Sequence, residues 1–210
     1  MYVVSVQVAQ PSTLDTGRGV IQTGIRKQPV DEAQFEASGL EGDNVVNTVH
    51  HGGLDQAVYV YSAEDYAWWQ DQLDRVLPPG IFGDNLLLST FGDGPVRVGD
   101  GYTIGDVVLE VTSPRIPCAT FSAVMEIDDW MLRFRDARRP GFYARVLAEG
   151  MIATGDAVTR SPASAANVEI LELQDIYYDK NVGADRLARA AESPVAERAR
   201  ADLVKRIARV

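Results

Sequence analysis

The segment around which the chain is organised reads Ser113-Pro114-Arg115-Ile116-Pro117-Cys118, and it follows an apolar, β-branched run over residues 106–112. That run predicts a strand, and the strand should stop at Pro114 because proline cannot donate to a sheet. A residue that precedes a proline is pushed to extended geometry, so we expect residues 115–118 to form a stiff, non-helical arm. The arm would hold Arg115 and the only cysteine of the chain, Cys118, at a strand end.

Cys118 is the first candidate for chemistry. A neighbouring cation favours the thiolate form of a cysteine, and a thiolate is both a nucleophile and a ligand for soft metals. The residues alone leave three interpretations of Cys118: a buried inert side chain, a nucleophile or a metal ligand. Basic residues beside loop-forming ones recur at Lys27, Arg115, Arg138, Arg139 and Arg145, and held on strand ends they suit a phosphate or carboxylate ligand. The individual roles of Arg138 and Arg139 stay open at this point.

Length and composition exclude several classes of protein. The chain has 210 residues, of which 46% are hydrophobic, enough for a substantial core. A net charge of −10 argues against a general nucleic-acid binder, which needs an excess of Lys and Arg. No apolar run approaches a membrane span, and the N-terminus lacks the basic region of a signal peptide. The lone cysteine excludes an internal disulfide, so we expect a cytoplasmic protein.

The pattern of short strands separated by Gly-Asp turns predicts a mixed α+β fold, mostly β, built as a barrel or sandwich rather than a doubly wound sheet. A capping box at residues 62–65 predicts a helix after the strand at 57–61, and residues 120–134 predict another. A small-residue linker covers 161–165. Beyond it, helical patterns cover 168–178, 184–192 and 194–210. We therefore predict a β domain over 1–163 and a small three-helix appendage over 166–210.

Two further polar sites leave alternatives open. His50 and His51, the only histidines, are adjacent and precede two glycines, so on a strand at most one would face a given pocket. They do not make a closed zinc site, which needs about four ligands. A histidine there either bonds a neighbouring loop or faces a ligand. Asn85 follows Gly-Asp and either makes a turn into a strand or presents its amide to an anion.

The ordered motifs carry a family resemblance. They are GIRKQPV (24–30), LEGD (40–43), HHGG (50–53), FGDNL (82–86), PRIPC (114–118) and GFYARVL (141–147). In this order they resemble the MOSC-domain family, named for the C-terminal domain of molybdenum cofactor sulfurase, and within it the small YiiM-like branch. The predicted helical tail resembles the three-helix extension of that branch. Departures include Asp84 where glutamate is usual and Phe142 where tryptophan is common.

The resemblance implies a fold, a cofactor and a site. The fold would be a MOSC-type β-barrel with flanking helices, and the cofactor would be the molybdenum cofactor (molybdopterin). Cys118 matches the cysteine that ligates molybdenum and is the catalytic candidate. Five residues match positions that could bind the cofactor: Lys27, His51, Asn85, Arg115 and Arg145.

The resemblance also implies an activity. YiiM-like proteins reduce N-hydroxylated compounds, such as hydroxylaminopurines and amidoximes, to amines, and an external redox partner protein would supply electrons. The alternatives are a carrier that delivers cofactor or sulfur without turnover, and a binding module that keeps the anion pocket alone. We expect no nucleic-acid or membrane partner. The basic tail could dock an acidic redox partner or a second subunit, which would make a homodimer.

Overall fold

A computed structural model describes residues 1–17, 19–46 and 52–209. The described part of the chain forms thirteen strands: β1 Val3–Val8, β2 Ser12–Asp15, β3 Val20–Thr23, β4 Gln28–Val30, β5 Glu32–Glu36, β6 Gly39–Leu40, β7 Val58–Ser62, β8 Leu86–Leu88, β9 Gly101–Ile104, β10 Val107–Ser113, β11 Phe142–Ala148, β12 Gly150–Ala153 and β13 Val158–Ser161. It also forms six α-helices: α1 Ala63–Leu73, α2 Ala119–Met125, α3 Trp130–Ala137, α4 Ile170–Tyr178, α5 Ala184–Glu192 and α6 Glu197–Ile207. A 3-10 turn lies at Leu54–Gln56.

Eight of these strands form one large sheet in the order β13-β9-β10-β11-β7-β8-β1-β4. Neighbours are antiparallel except β7 and β8, which are parallel. Within the described residues the sheet is open, since its outermost strands β13 and β4 do not pair with each other. Pro29 lies in β4, and a residue without an N–H suits an edge strand. The mixed, mostly β expectation is confirmed, whereas the predicted closed barrel is not.

The helices divide between two apolar clusters. Helices α1 to α3 pack aromatic side chains together: Trp69 lies 4.7 Å from Trp130 between ring centroids, and Phe82 and Phe134 complete the group. The C-terminal helices contribute Leu173, Ile176, Leu187 and Leu203 to the same core cluster as the large sheet. The division of the chain into two domains stays a prediction. The shared cluster nevertheless fixes where the helices lie relative to the sheet.

Strand β10 and the arm after it follow the sequence prediction closely. The strand ends at Ser113, and residues 114–118 are neither helix nor strand. Cys118 is extended, with φ −129° and ψ 171°, and α2 begins at the next residue. The single helix predicted over 120–134 is wrong. Glu126 and Asp129 adopt positive φ, which ends α2 and separates it from α3.

The N-terminus of the last helix is bonded by a side chain from a distant part of the chain. The last helix, α6, starts at Glu197 rather than at residue 194, with Ala196 as its N-cap. The Asp55 carboxylate accepts from the Glu197 N–H at 2.7 Å, so a side chain of the 3-10 turn satisfies one donor of the helix end. Among the described residues, no helix is both long and apolar enough to cross a membrane.

Candidate functional site

One cavity, of about 230 Å³, lies between the arm, the β2–β3 hairpin and the loop before β8. Four of the six predicted site residues line it: Lys27, Asn85, Arg115 and Cys118. The cavity brings together parts of the chain that are far apart in sequence. It is also lined by Tyr59, Tyr143, Gly24, Gly83 and Asn44.

Arg115 is held on the cavity wall by aromatic side chains. Its guanidinium carbon lies 4.7 Å from the Tyr59 ring centroid and 4.5 Å from that of Phe121. Its Nη1 donates to the Tyr143 hydroxyl at 3.1 Å. Within the described part of the chain its buried Nε has no hydrogen-bond partner, and no carboxylate forms an ion pair with it. A buried guanidinium that still has a free N–H donor and no carboxylate within ion-pair distance is suited to receive an anion.

The charge of Arg115 is maintained despite its burial. Burial lowers the pKa of the guanidinium, but Tyr143 and Tyr59 act in the opposite direction. Cys118 and Asp84 also raise it, and the pKa of Arg115 lies above its ordinary value. Arg115 therefore remains a cation, and Cys118 is close enough to interact with it electrostatically.

Lys27 and Asn85 are joined by a residue between them, Asp43. Lys27 and Asp43 form a buried ion pair, with 6% of each side chain exposed. The Asn85 amide donates to Asp43 Oδ2 at 2.8 Å, and the Ala9 N–H donates to Oδ1 at 2.8 Å. Burial lowers the pKa of Lys27, and the interaction with Asp43 opposes that shift. The positive charge of Lys27 is thus largely balanced, in contrast to that of Arg115.

The turn over residues 82–85 places Asn85 through its backbone. Asn85 N–H donates to Tyr59 O at 2.8 Å, and its side-chain Oδ1 accepts from Tyr59 N–H at 3.2 Å. Gly83 has φ +75°, and a Cβ there would lie 3.1 Å from Ile25 and 3.6 Å from Arg115 Nη2. Glycine therefore lets this turn approach the guanidinium closely.

Asp84 lies behind the cavity wall and is fully buried. Its Oδ1 accepts from the Tyr66 hydroxyl at 2.7 Å, while Oδ2 has no partner among the described residues. Burial raises the pKa of Asp84 to about 6, although the Tyr66 hydrogen bond and the cations Arg115 and Lys27 lower it. The wall behind the cavity thus contains a carboxyl that changes charge near neutral pH.

Comparison with known proteins gives this arrangement a family. Residues 47–159, more than half of the chain, match the family model described as the MOSC domain. The chain belongs to the MOSC family.

Three relatives illustrate the relation. The uncharacterized protein YflK of Bacillus subtilis is 34% identical over 170 residues, which are 80% of this chain and 72% of YflK. A Gibberella moniliformis protein named "Reductase" is 30% identical over 188 residues, 85% of this chain but only 33% of the relative, so the chain spans about a third of that protein. YiiM of Escherichia coli is 28% identical over 155 residues, 71% of this chain and 68% of YiiM.

Solved MOSC structures share the fold. YiiM from Geobacillus stearothermophilus superimposes with a TM-score of 0.78 at 26% identity, covering 97% of both chains. YiiM from Escherichia coli superimposes with a TM-score of 0.75 at 22% identity, covering all of this chain and 94% of that one. The similarity extends through the C-terminal helices as well as the sheet.

Among the predicted site residues that the structure describes, Arg145 alone does not line the cavity. Arg145 lies on β11, where it pairs with Asp55 at 3.0 Å and Glu110 at 3.1 Å. It also donates to the carbonyls of Pro194 and Val195. Its role as a cofactor ligand stays a prediction. Its Nη atoms bind these acceptors between the sheet and the start of α6, whereas its buried Nε has no partner among the described residues. His51 lies outside the described residues.

Two arginines whose roles the sequence left open are structural. Arg138 pairs with Asp175 on α4. Arg139 pairs with Asp65 on α1 and lies 4.8 Å from the Trp68 ring centroid. Both therefore connect helices outside the cavity.

Sequence reasoning missed Asp43, Tyr59 and Tyr143. Asp43 was treated as part of a turn, although an acid in a motif shared with the family was a signal that it could pair with a buried lysine. Tyr59 and Tyr143 were assigned to strands, and nothing in their periodicity distinguishes a cavity-lining face from a core face. The two strands pair at these residues, with Tyr143 opposite Tyr59, and this pairing creates the aromatic surface beneath Arg115.

The donor set fits the cofactor with which MOSC domains are associated. An orphaned, buried guanidinium Nε suits a phosphate, and a thiol in the same cavity suits a soft metal. A cluster of three or more His, Cys, Asp or Glu that could hold a metal ion is absent from the part of the chain that is described.

Proposed function

We propose that this chain is a molybdenum-cofactor-dependent reductase that converts N-hydroxylated compounds to amines. The support is the MOSC family, a relative named as a reductase, and the chemistry of the cavity. The observation that carries the proposal is the buried Arg115, which forms no ion pair within the described residues and has an unpartnered Nε, in the same cavity as the only thiol of the chain.

The cavity residues would divide the work of holding the cofactor. Arg115 would bind its phosphate, since a planar guanidinium can offer paired N–H donors to phosphate oxygens. Cys118 would ligate the metal as thiolate. Asn85 is positioned by Tyr59 and Asp43, and would contact the pterin from the turn before β8.

Lys27 would act through the Asp43 network. Its ammonium group is paired with Asp43, so Lys27 positions that carboxylate and the Asn85 amide bonded to it. An ammonium group has three N–H donors. A direct contact between Lys27 and the phosphate would use a donor that is not already bonded to Asp43.

The overall reaction balances as one N-hydroxylated substrate, two electrons and two protons giving an amine and water. When bound, the molybdenum cofactor supplies the two-electron chemistry that cleaves the N–O bond. The electrons would come from a separate redox protein. Tyr143 lines the cavity and its hydroxyl oxygen accepts from Arg115, which leaves its own proton directed elsewhere and available to the substrate.

The test is metal, pterin and activity analysis of protein purified from a host that makes the cofactor. The wild-type chain should contain stoichiometric molybdenum and pterin, and should reduce an amidoxime with a chemical electron donor. Cys118→Ser should lose molybdenum and activity. Arg115→Gln should contain less pterin than the wild type, because the variant loses the guanidinium that would bind the phosphate.

Arg138→Gln is the matched control, because Arg138 is engaged by Asp175 outside the cavity. It should retain cofactor and activity. Absence of molybdenum and pterin from the wild-type protein under these conditions would refute the proposal. Stoichiometric cofactor without turnover would instead assign the chain to the carrier class.

A further inference from the structure

A second cavity, of about 190 Å³, lies on the opposite side of the arm from Cys118, between the arm and helices α4 and α6. Its walls are mostly apolar and include Pro114, Ile116, Leu173, Ile176, Ala199 and Leu203. Along the extended arm, Pro114 and Ile116 face this cavity whereas Arg115 faces the first one. Gln56 lines both cavities. The arm is therefore a partition between a polar cavity and an apolar one.

Ser113 supplies a polar group to the apolar cavity. Ser113 is 6% exposed and lines the cavity, and its Oγ has no hydrogen-bond partner among the described residues. The pairing of β10 with β11 shifts register between Val111 and Ser113, and such a bulge redirects the side chain that follows it. A buried hydroxyl without a partner costs free energy, so this position favours a ligand that can bond to it.

The charged side chains at this cavity do not favour a charged ligand. Arg206 donates to the carbonyls of Ile176 at 2.7 Å and Asp179 at 2.6 Å, so its guanidinium is engaged by the end of α4. Asp202 is exposed and lies 3.9 Å from Arg206, and Arg198 is the third charged residue that lines the cavity. Charges of both signs at the rim, around apolar walls, fit an uncharged molecule.

We propose that this cavity is a second small-molecule site, which binds an uncharged, ring-sized molecule carrying one hydrogen-bonding group. Its volume is comparable with that of an engineered apolar cavity of about 150 Å³ that binds benzene. The ring would contact Ile116, Leu173 and Leu203, and its polar group would bond to Ser113 Oγ. A ligand there would press on the back of the arm that holds Arg115 and Cys118.

Toluene and phenol are the probes, titrated into the full-length chain by calorimetry. They have similar size, and only phenol can bond to a hydroxyl. The wild-type protein should bind both saturably, phenol more tightly. Ser113→Ala should weaken phenol by about 3- to 10-fold, the effect of one hydrogen bond, and leave toluene unchanged. Ala199→Leu should weaken both by filling the cavity.

Val204→Ala is the control for changes to α6, because Val204 is exposed on the same helix and does not line the cavity. It should bind both probes as the wild type does. The inference is overturned if the wild type binds neither probe saturably, if Ala199→Leu binds both unchanged, or if Ser113→Ala weakens phenol and toluene equally. The titration needs no molybdenum cofactor, so its failure is distinct from failure of the proposed reductase function.

Discussion

Replacing the two buried cations of the polar cavity, Arg115 and Lys27, by methionine should change the free energy of unfolding by very different amounts. Methionine approximates the length of both side chains and removes the charge. Lys27→Met breaks a buried ion pair and leaves Asp43 charged, with Asn85 and Ala9 N–H as its remaining donors. Removing one partner of a buried ion pair typically costs about 3–5 kcal/mol of unfolding free energy.

Arg115→Met breaks no ion pair within the described residues. The variant loses one hydrogen bond, to Tyr143, which contributes about 1 kcal/mol. It also loses cation–π contacts with Tyr59 and Phe121, each of about 0.5–2 kcal/mol. Against these losses of about 2–5 kcal/mol stands relief of a desolvation penalty of several kcal/mol for the buried charge. We therefore expect the cofactor-free Arg115→Met protein to unfold within about 1–2 kcal/mol of the wild type.

Urea unfolding of the cofactor-free proteins measures both values, and inorganic phosphate provides the second comparison. Phosphate at 100 times its dissociation constant should stabilise the wild type by about 2.7 kcal/mol, and Arg115→Met should gain far less. If Arg115→Met alone lost as much stability as Lys27→Met, the guanidinium would have a partner in the folded protein and the reasoning would fail. It would fail equally if phosphate stabilised Arg115→Met as strongly as the wild type.

Three further predictions concern other parts of the fold. The pKa of Asp84 is about 6, above the ordinary 3.8, so the folded chain binds more protons than the unfolded chain between these values. The contribution of Asp84 to stability therefore falls as pH rises through that window, and Asp84→Asn should gain up to about 3 kcal/mol relative to the wild type between pH 4 and 7.5 in urea unfolding. Gly24→Ala would place a Cβ 1.8 Å from Asn44 O and should lower the free energy of unfolding by about 1–3 kcal/mol in the same assay. Gly183→Ala is its control, because no atom lies within 4 Å of the added Cβ, and it should cost less than about 1 kcal/mol. Arg145→Met should increase protease cleavage near the start of α6 and leave the molybdenum content of the purified protein unchanged. A loss of molybdenum would instead support the predicted role of Arg145 as a cofactor ligand.

Local rules predicted the arm best. The proline positions predict that β10 stops at Ser113 and that residues 114–118 are neither helix nor strand, so the sequence was sufficient there. The helix over 120–134 failed because its apolar spacing continues across Glu126 and Asp129, where the backbone nevertheless takes positive φ. Helical periodicity predicts which side chains share an apolar face, but it does not predict where a helix ends. Here the packing of Trp130 and Phe134 against α1 determines where the chain turns.

Site residues were predicted only as far as their motifs allowed. Cys118, Arg115 and Asn85 were identified because each lies in a segment with an unusual local pattern. Arg145 was assigned to the cavity from the same strand motif as Tyr143, but two residues further along β11 the side chain is beside Glu110 and Asp55. Contacts between segments that are distant in sequence determine which basic residue forms an ion pair with an acid. Sequence spacing does not predict these contacts.

The partition formed by the arm has a consequence for how the protein can change. Ile116 contacts the apolar cavity and Arg115 the polar one, although the two are adjacent in sequence. A substitution at residue 116 can therefore reshape the apolar cavity and leave Arg115 and Cys118 in the polar cavity unchanged. Directed evolution of residues 114–118 could change the shape of the polar and the apolar cavity almost independently, provided that Pro114 and Pro117 are kept to hold the backbone constant.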